Sequence, residues 1–248
     1  MSDTQRAIVF LRSLLYTAIL FVVTPFYAFA CLLLAPLPRI PRWIFISWWP
    51  RSAAVLARWL LRIDYEIIGR ENIPREPVVI LAKHQSTWET FAFPGIFPPH
   101  AFVLKRELLW IPFFGWGLAL FSPIAIDRSN RSAAMRRTIE TGRQRFEQGF
   151  SIMIYPEGTR IPAGTRGTYR AGGASLAVGL GAKVLPVAHN AGVVWPRNSF
   201  LKYPGKVTVV IGKPIDTSGA KPADIMRQVE EWIETEVAKL TPQAQVSS

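Results

Sequence analysis

His84 and Glu89, the ends of the segment His84-Gln85-Ser86-Thr87-Trp88-Glu89, are an imidazole and a carboxylate near enough in sequence to work as a pair. A carboxylate that accepts the proton of one imidazole nitrogen fixes the tautomer and stabilises the imidazolium; the other nitrogen can then take a proton from an alcohol. Ser86 stands between them, but no G-x-S-x-G elbow accompanies it. The pair therefore reads as the base half of a triad whose nucleophile is the substrate's own hydroxyl. On one continuous helix the two side chains would stand about 140° apart, so periodicity alone does not join them. A bend at His84, with Ser86 as helix N-cap and Glu89 at the N3 position of a Ser-x-x-Glu capping box, lets the carboxylate turn back toward the ring. With three histidines and no HExxH or similar ligand spacing, neither a metal nor another cofactor is expected.

A second cluster, Glu157-Gly158-Thr159-Arg160, follows an apolar run. A guanidinium can make paired, charge-assisted bonds to phosphate, and a glycine lets the backbone approach closely. Lys105, Arg106 and Arg128 also follow short apolar runs, at the strand ends where α/β sheets gather their ligands. Their convergence predicts an anionic head group near His84.

The elements that must position these residues are legible as alternating strands and helices. Strands are expected at Ile63 to Ile68, Val78 to Ala82, Ala101 to Leu104, Ile124 to Ile126, Ser151 to Tyr155, Val184 to Ala188 and Val207 to Ile211. Ser132 to Gln148 reads as a helix stopped at Gly149, and Gly172 to Gly181 as a small-residue helix packed close to the sheet. Ala223 to Leu240 places Ile225, Val229, Trp232, Ile233, Val237 and Leu240 at helical intervals, with Glu230, Glu231, Glu234 and Glu236 mostly outward. Phe113-Phe114-Gly115-Trp116-Gly117 suits either the lining of an apolar cavity or the core. The fold class is α/β: a single domain with a mixed or largely parallel sheet flanked by helices.

Ahead of that domain, residues 14–35 carry no charge, long enough at helical rise to enter or cross a hydrocarbon core, with a kink expected at Pro25. Ala28-Phe29-Ala30 also resembles a signal-peptide cleavage site, but the apolar run continues beyond it, which favours a retained anchor. From Pro50 to Arg62, Arg51, Arg58 and Arg62 form one helical stripe, and Ala53, Leu56 and Leu60 lie roughly opposite, the pattern of a helix lying in a membrane interface or, alternatively, of one docked on the core with a solvated arginine face. Residues 1–62 are thus expected to form a membrane anchor and interfacial helix, residues 63–240 the catalytic domain and residues 241–248 a flexible tail. The basic cluster from Arg39 to Arg62 places the domain on the cytoplasmic side of the inner membrane.

Bulk composition agrees with lipid contact. Half the residues are hydrophobic, nine are tryptophan, and the net charge of +12 suits an anionic phospholipid surface. The basic residues accompany aliphatic and aromatic ones, and neither zinc-finger spacing nor an RNP-like segment is present, so nucleic acid is not an expected partner.

Taken together the blocks resemble the glycerolipid acyltransferase family, and within it the bacterial 1-acyl-sn-glycerol-3-phosphate acyltransferases. His84 to Glu89 matches the family's histidine, four residues, acid motif; Ala125 to Arg128, Pro156 to Arg160 and Val184 to Val187 match its other three blocks, in family order. Glu89 replaces the more usual aspartate, and Lys83 stands where asparagine often precedes the histidine. The resemblance implies transfer of a fatty acyl group from coenzyme A or acyl carrier protein to the free hydroxyl of lysophosphatidate. It makes His84 the base and Glu89 its partner, assigns Arg128, Glu157, Gly158 and Arg160, with Lys105 in addition, to the glycerol phosphate, and links Pro186 to the acyl-donor site. Another lysophospholipid or amino-acid lipid as acceptor, and a non-catalytic binder of anionic membranes, are the competing expectations.

Overall fold

A computed structural model describes residues 2–126 and 131–240, with residues 131–135 described in backbone only. The expected flexible tail, 241–248, lies outside the described residues.

Seven strands form one sheet in the order β1-β7-β6-β2-β5-β3-β4, with β1 Ile63–Ile68, β2 Val79–Ala82, β3 His100–Lys105, β4 Ile124–Ile126, β5 Ser151–Ile154, β6 Val184–His189 and β7 Gly205–Ile211. Strands β6, β2, β5, β3 and β4 run parallel, β7 runs antiparallel to β6, and β1 is parallel to β7. The sheet is mixed and largely parallel, as the alternation of apolar runs with helical segments predicts.

Its central strands are near-continuous apolar runs because both faces are covered. Along β2, Ile80 and Ala82 point into a core shared with α3 (Trp48–Leu60) and α4 (Trp88–Ile96). Val79 and Leu81 point into the opposite core, shared with α7 (Gly172–Leu180) and α9 (Pro222–Leu240). All four are completely buried, and each of the larger side chains contributes roughly 1.5–3 kcal/mol by leaving water. The small-residue segment expected to hug the sheet does so: a Cβ on Gly173 of α7 would come within 2.6 Å of Leu81 Cδ2. The remaining helices are α1 (Asp3–Leu32), α2 (Arg39–Ile46), α5 (Phe114–Leu120), α6 (Arg131–Glu147) and α8 (Ala191–Val194).

The amino-terminal helix is longer than the uncharged run, since a capping box at Ser2 and Gln5 starts it early and Pro25 is accommodated inside it. Its most apolar window has a mean hydropathy of 2.1, and 17% of that window is buried. One face of α1 is nevertheless docked on the domain along its length. Ser13 Oγ accepts the Lys202 N–H (3.0 Å), the Tyr16 hydroxyl donates to Ala53 O (3.0 Å), and the Tyr27 hydroxyl donates to Phe45 O (2.7 Å). Phe29 packs on Phe113 and Trp116 near the far end.

The structure corrects the expected orientation of α3. Ala53 and Ala57 face the protein core, with Leu56 and Leu60 half-buried against it, so this stripe is not the one available to lipid. Arg51 turns inward and donates to Pro94 O at 2.9 Å, while Arg58 pairs with Asp64 at 3.1 Å. Trp48, Val55 and Trp59 form the exposed apolar face instead. A helical wheel separates apolar from basic residues, but alanine serves the close α3 to α4 packing better than leucine, and that choice is tertiary.

Candidate active site

Residues far apart in sequence meet because each follows a parallel strand, and neighbouring strands bring their carboxyl ends to one edge. His84 follows β2, Tyr155 to Arg160 follow β5, and Lys105 ends β3, in the same order in which these strands lie side by side. Ligands of α/β sheets bind outside that edge.

The chain bends at His84 as expected, though the helix begins one residue later than the capping-box reading: Thr87 is the N-cap and Glu89 sits at N2. Ser86 Oγ accepts the Trp88 N–H at 3.1 Å, and Glu89 Oε1 accepts the Ser86 N–H at 2.8 Å, so the reciprocal bonding survives with shifted partners. The same oxygen accepts the Gln85 N–H at 2.9 Å and faces His84 Nδ1 at 2.9 Å. Glu89 therefore caps the turn and orients the ring at once. Burial opposes the charge of its carboxyl, but the adjoining imidazoles of His189 and His84 and the bond from the Ser86 amide outweigh burial and hold the group below its ordinary range. An ionised Glu89 requires the proton on Nδ1, which leaves Nε2 as the ring nitrogen available to substrate.

His84 is held through both its ring and its backbone. Tyr155 stacks on it with ring centroids 4.0 Å apart and planes 13° from parallel. Glu157 Oε2 accepts the His84 N–H at 2.8 Å, and His84 O accepts the Ile161 N–H at 2.8 Å. Behind it, His189 Nε2 donates to Lys83 O at 2.8 Å while its Nδ1 accepts the Ala191 N–H at 3.2 Å. Burial pushes the His189 pKa down, consistent with that neutral tautomer.

His84 opens onto a cavity of about 1070 Å³ whose charged lining residues, among those described, are the cations Lys105, Arg160, Arg170 and Arg197. Thr24, Tyr27, Ala28 and Cys31 of α1 line it too, as do Phe113, Phe114 and Gly117, so the aromatic and glycine-rich segment contributes to cavity wall. Gly158 lines the cavity at φ +68°, a left-handed conformation that glycine adopts without steric cost.

Two sequence-based assignments need correction. Glu157 does not line the cavity; its side chain is enclosed, with Oε1 2.7 Å from Lys83 Nζ and Oε2 on the His84 amide. Burial pushes its carboxyl up, and Lys83 with the His84 amide pulls it back only in part. In that position it holds the His84 backbone in place and adds no negative charge to the cavity wall. Pro186 is buried in β6, beside the backbone of Gly212 and away from the cavity, so it makes no direct contact with an acyl donor there. Arg128 lies outside the described residues. Lys105 and Arg160 do line the cavity with His84.

Sequence reasoning missed Tyr155 as a backing for the base and missed the partners of Lys83. For Tyr155 a usable signal existed, an aromatic residue ending an apolar strand just before Pro156-Glu157. For Lys83 the signal was a lysine placed directly after a fully buried strand.

A base without its own nucleophile, opening on an apolar cavity rimmed by cations, defines a transferase class in which an acceptor hydroxyl attacks directly. Comparison with known proteins specifies the transferred group. The family model described as Acyltransferase matches residues 64–190, and the chain belongs to that family. It is 48% identical over 197 residues to a 1-acyl-sn-glycerol-3-phosphate acyltransferase of Pseudomonas aeruginosa, covering 78% of this chain and 77% of that protein. With the enzyme of the same name from Haemophilus influenzae the identity is 29%, over 68% and 74% of the two chains. The crystal structure of a 1-acyl-sn-glycerophosphate acyltransferase from Thermotoga maritima superposes with a TM-score of 0.78 at 27% identity, covering 96% of this chain and 97% of that one.

Proposed function

We propose that this acyltransferase moves a fatty acyl group from a coenzyme A or acyl carrier protein thioester to the sn-2 hydroxyl of 1-acyl-sn-glycerol 3-phosphate, giving phosphatidate. The observation that carries the reading is the 2.9 Å bond between His84 Nδ1 and Glu89, which leaves Nε2 for the acceptor at the cavity wall.

His84 Nε2 takes the hydroxyl proton as the alkoxide oxygen bonds to the thioester carbonyl carbon. The tetrahedral intermediate collapses, the carbon–sulfur bond breaks, and the imidazolium returns the proton to the departing thiolate. Glu89 stabilises the imidazolium between these steps. Arg160 and Lys105 hold the acceptor's phosphate, with Arg128 a further candidate, and Gly158 lets backbone approach it. The apolar remainder of the cavity, between α1 and α5, receives hydrocarbon.

The docked face of α1 supports attachment within one leaflet rather than a crossing. A 30-residue helix is about 45 Å long, and contacts from Ser13 to Phe29 keep it against the domain, while Phe21 and Phe26 on other faces stay exposed. Trp48 and Trp59 extend that apolar surface. The basic residues after α1 favour the cytoplasmic leaflet, where the acyl donor is found.

The test is turnover by the purified enzyme on phosphatidylethanolamine and phosphatidylglycerol vesicles containing lysophosphatidate, with thiol release and phosphatidate measured together. His84→Ala is expected to abolish both while vesicle binding persists. Undiminished acyl transfer by that variant, or turnover only with a different lysolipid in a parallel acceptor panel, sinks the corresponding part of the proposal.

A further inference from the structure

Lys83 is completely enclosed, and an enclosed ammonium is tolerated only when its charge and protons are met. Its Nζ lies 2.7 Å from Glu157 Oε1, 2.7 Å from Glu234 Oε1 and 3.4 Å from Thr165 O, and 5.7 Å from the centroid of the Tyr169 ring. The Tyr169 hydroxyl donates to the same Glu234 oxygen at 2.7 Å. One carboxylate of α9 thus joins the residue preceding the base to the loop carrying Arg160 and Arg170. That loop, residues 158–170, contains no helix or strand, so tethers decide where its cations stand. Others include the Gly158 N–H on Tyr155 O (3.0 Å), the Ile161 N–H on His84 O (2.8 Å), the Arg170 N–H on Pro156 O (3.0 Å) and the exposed Arg166 to Glu230 pair (2.7 Å). An exposed pair holds weakly, whereas the enclosed Lys83 ammonium keeps a carboxylate on each side at 2.7 Å, since losing either leaves a buried charge less well met.

We propose that Glu234 is a positioning residue of the active site: through Lys83 and Tyr169 it fixes the separation between His84 and Arg160. The helix that supplies it lies outside residues 64–190, the stretch matching the acyltransferase family model. The inference rests on the reading of Arg160 as a ligand of the acceptor's phosphate. Loss of the Glu234 charge frees the loop while leaving the His84 to Glu89 bond and the Lys83 to Glu157 pair in place, so acceptor binding suffers and chemistry does not.

The full-length enzyme on the vesicles described above provides the test. Glu234→Gln keeps the shape and an acceptor oxygen; it is expected to raise KM for lysophosphatidate about tenfold, with kcat within about threefold and the pH profile of kcat unchanged. Tyr169→Phe keeps the ring over Lys83, deletes one bond, and is expected to shift KM the same way by about threefold, which preserves the test if the Glu234→Gln variant folds poorly. In an Arg160→Ala background the Glu234→Gln change is expected to add less than about twofold, because the group it positions is gone. A full tenfold effect in both backgrounds overturns the proposal, as does a fall in kcat at constant KM or kinetics unchanged in both variants. If Arg160→Ala itself leaves KM unchanged, the phosphate reading fails and this inference with it, a pattern distinct from additivity.

Discussion

Replacing Glu89 by glutamine removes the charge beneath the base and little else, and its effect follows from the geometry. The carboxylate oxygen lies 2.9 Å from Nδ1, is fully buried, and is also the acceptor for two backbone amides. Unit charges about 4 Å apart attract by roughly 4 kcal/mol at an effective dielectric constant near 20. That attraction is realised only once His84 has taken the acceptor's proton, so its loss falls on the transition state. At about 1.4 kcal/mol per decade, Glu89→Gln is expected to lower kcat about a thousandfold with KM for lysophosphatidate nearly constant. The two amide bonds favour placing the glutamine oxygen where Oε1 now lies, so the fold is retained. The assay is steady-state thiol release on vesicles, with circular dichroism and vesicle binding as controls for folding. Glu89→Asp restores the charge but shortens the arm, and is expected to recover one to two of the roughly three lost decades. A kcat for Glu89→Gln within tenfold of wild type refutes the argument that imidazolium stabilisation is what this carboxylate contributes.

Two further outcomes follow from groups away from the base. Trp59 is 75% exposed on the outer face of α3, and an indole buried in the interface contributes roughly 1.5–3 kcal/mol; Trp59→Glu is expected to weaken vesicle partitioning at least about tenfold by sedimentation. Unchanged partitioning removes α3 from the membrane face. His100 is buried, its Nδ1 donates to Pro98 O at 2.8 Å, and burial lowers its pKa from 6.5 to about 4. The fold prefers the neutral ring, so on acidification the unfolded chain takes up the proton first; stability is present above pH 6.5 and is lost as the pH falls toward 4. The loss from this one group is roughly 3 kcal/mol, measured by denaturant melts across that window, and His100→Gln is expected to flatten the profile. A wild-type profile already flat there contradicts it.

The central strands are legible because a short apolar run bounded by turn residues, as in Val78 to Ala82, suits a strand buried on both faces. The pairing of His84 with Glu89 is legible because their residue types and the turn between them suit a carboxylate folded back on an imidazole. Assignments failed where a residue's partner comes from another part of the chain. The wheel of α9 places Glu234 off the apolar stripe and so outward, yet Lys83 and Tyr169 cover that side. The family resemblance assigns Glu157 to the glycerol phosphate, but successive residues beyond a strand turn to different sides, and this one turns inward to Lys83. Arg51 looked like a lipid-facing cation until α4 placed the Pro94 carbonyl beneath it.

By itself, then, the sequence determined the layered α/β fold, the pairing of His84 with Glu89, the cationic residues that gather near it and the apolar amino terminus. Each is written in local residue type and period, where hydrophobic burial and hydrogen-bond chemistry act over a few residues. Only the tertiary structure decided which cations line the cavity, which carboxylates are enclosed behind it, and which face of α3 is exposed. Those outcomes depend on pairings up to 151 residues apart, and the energy of a buried charge is set by the atoms that surround it rather than by its neighbours in sequence.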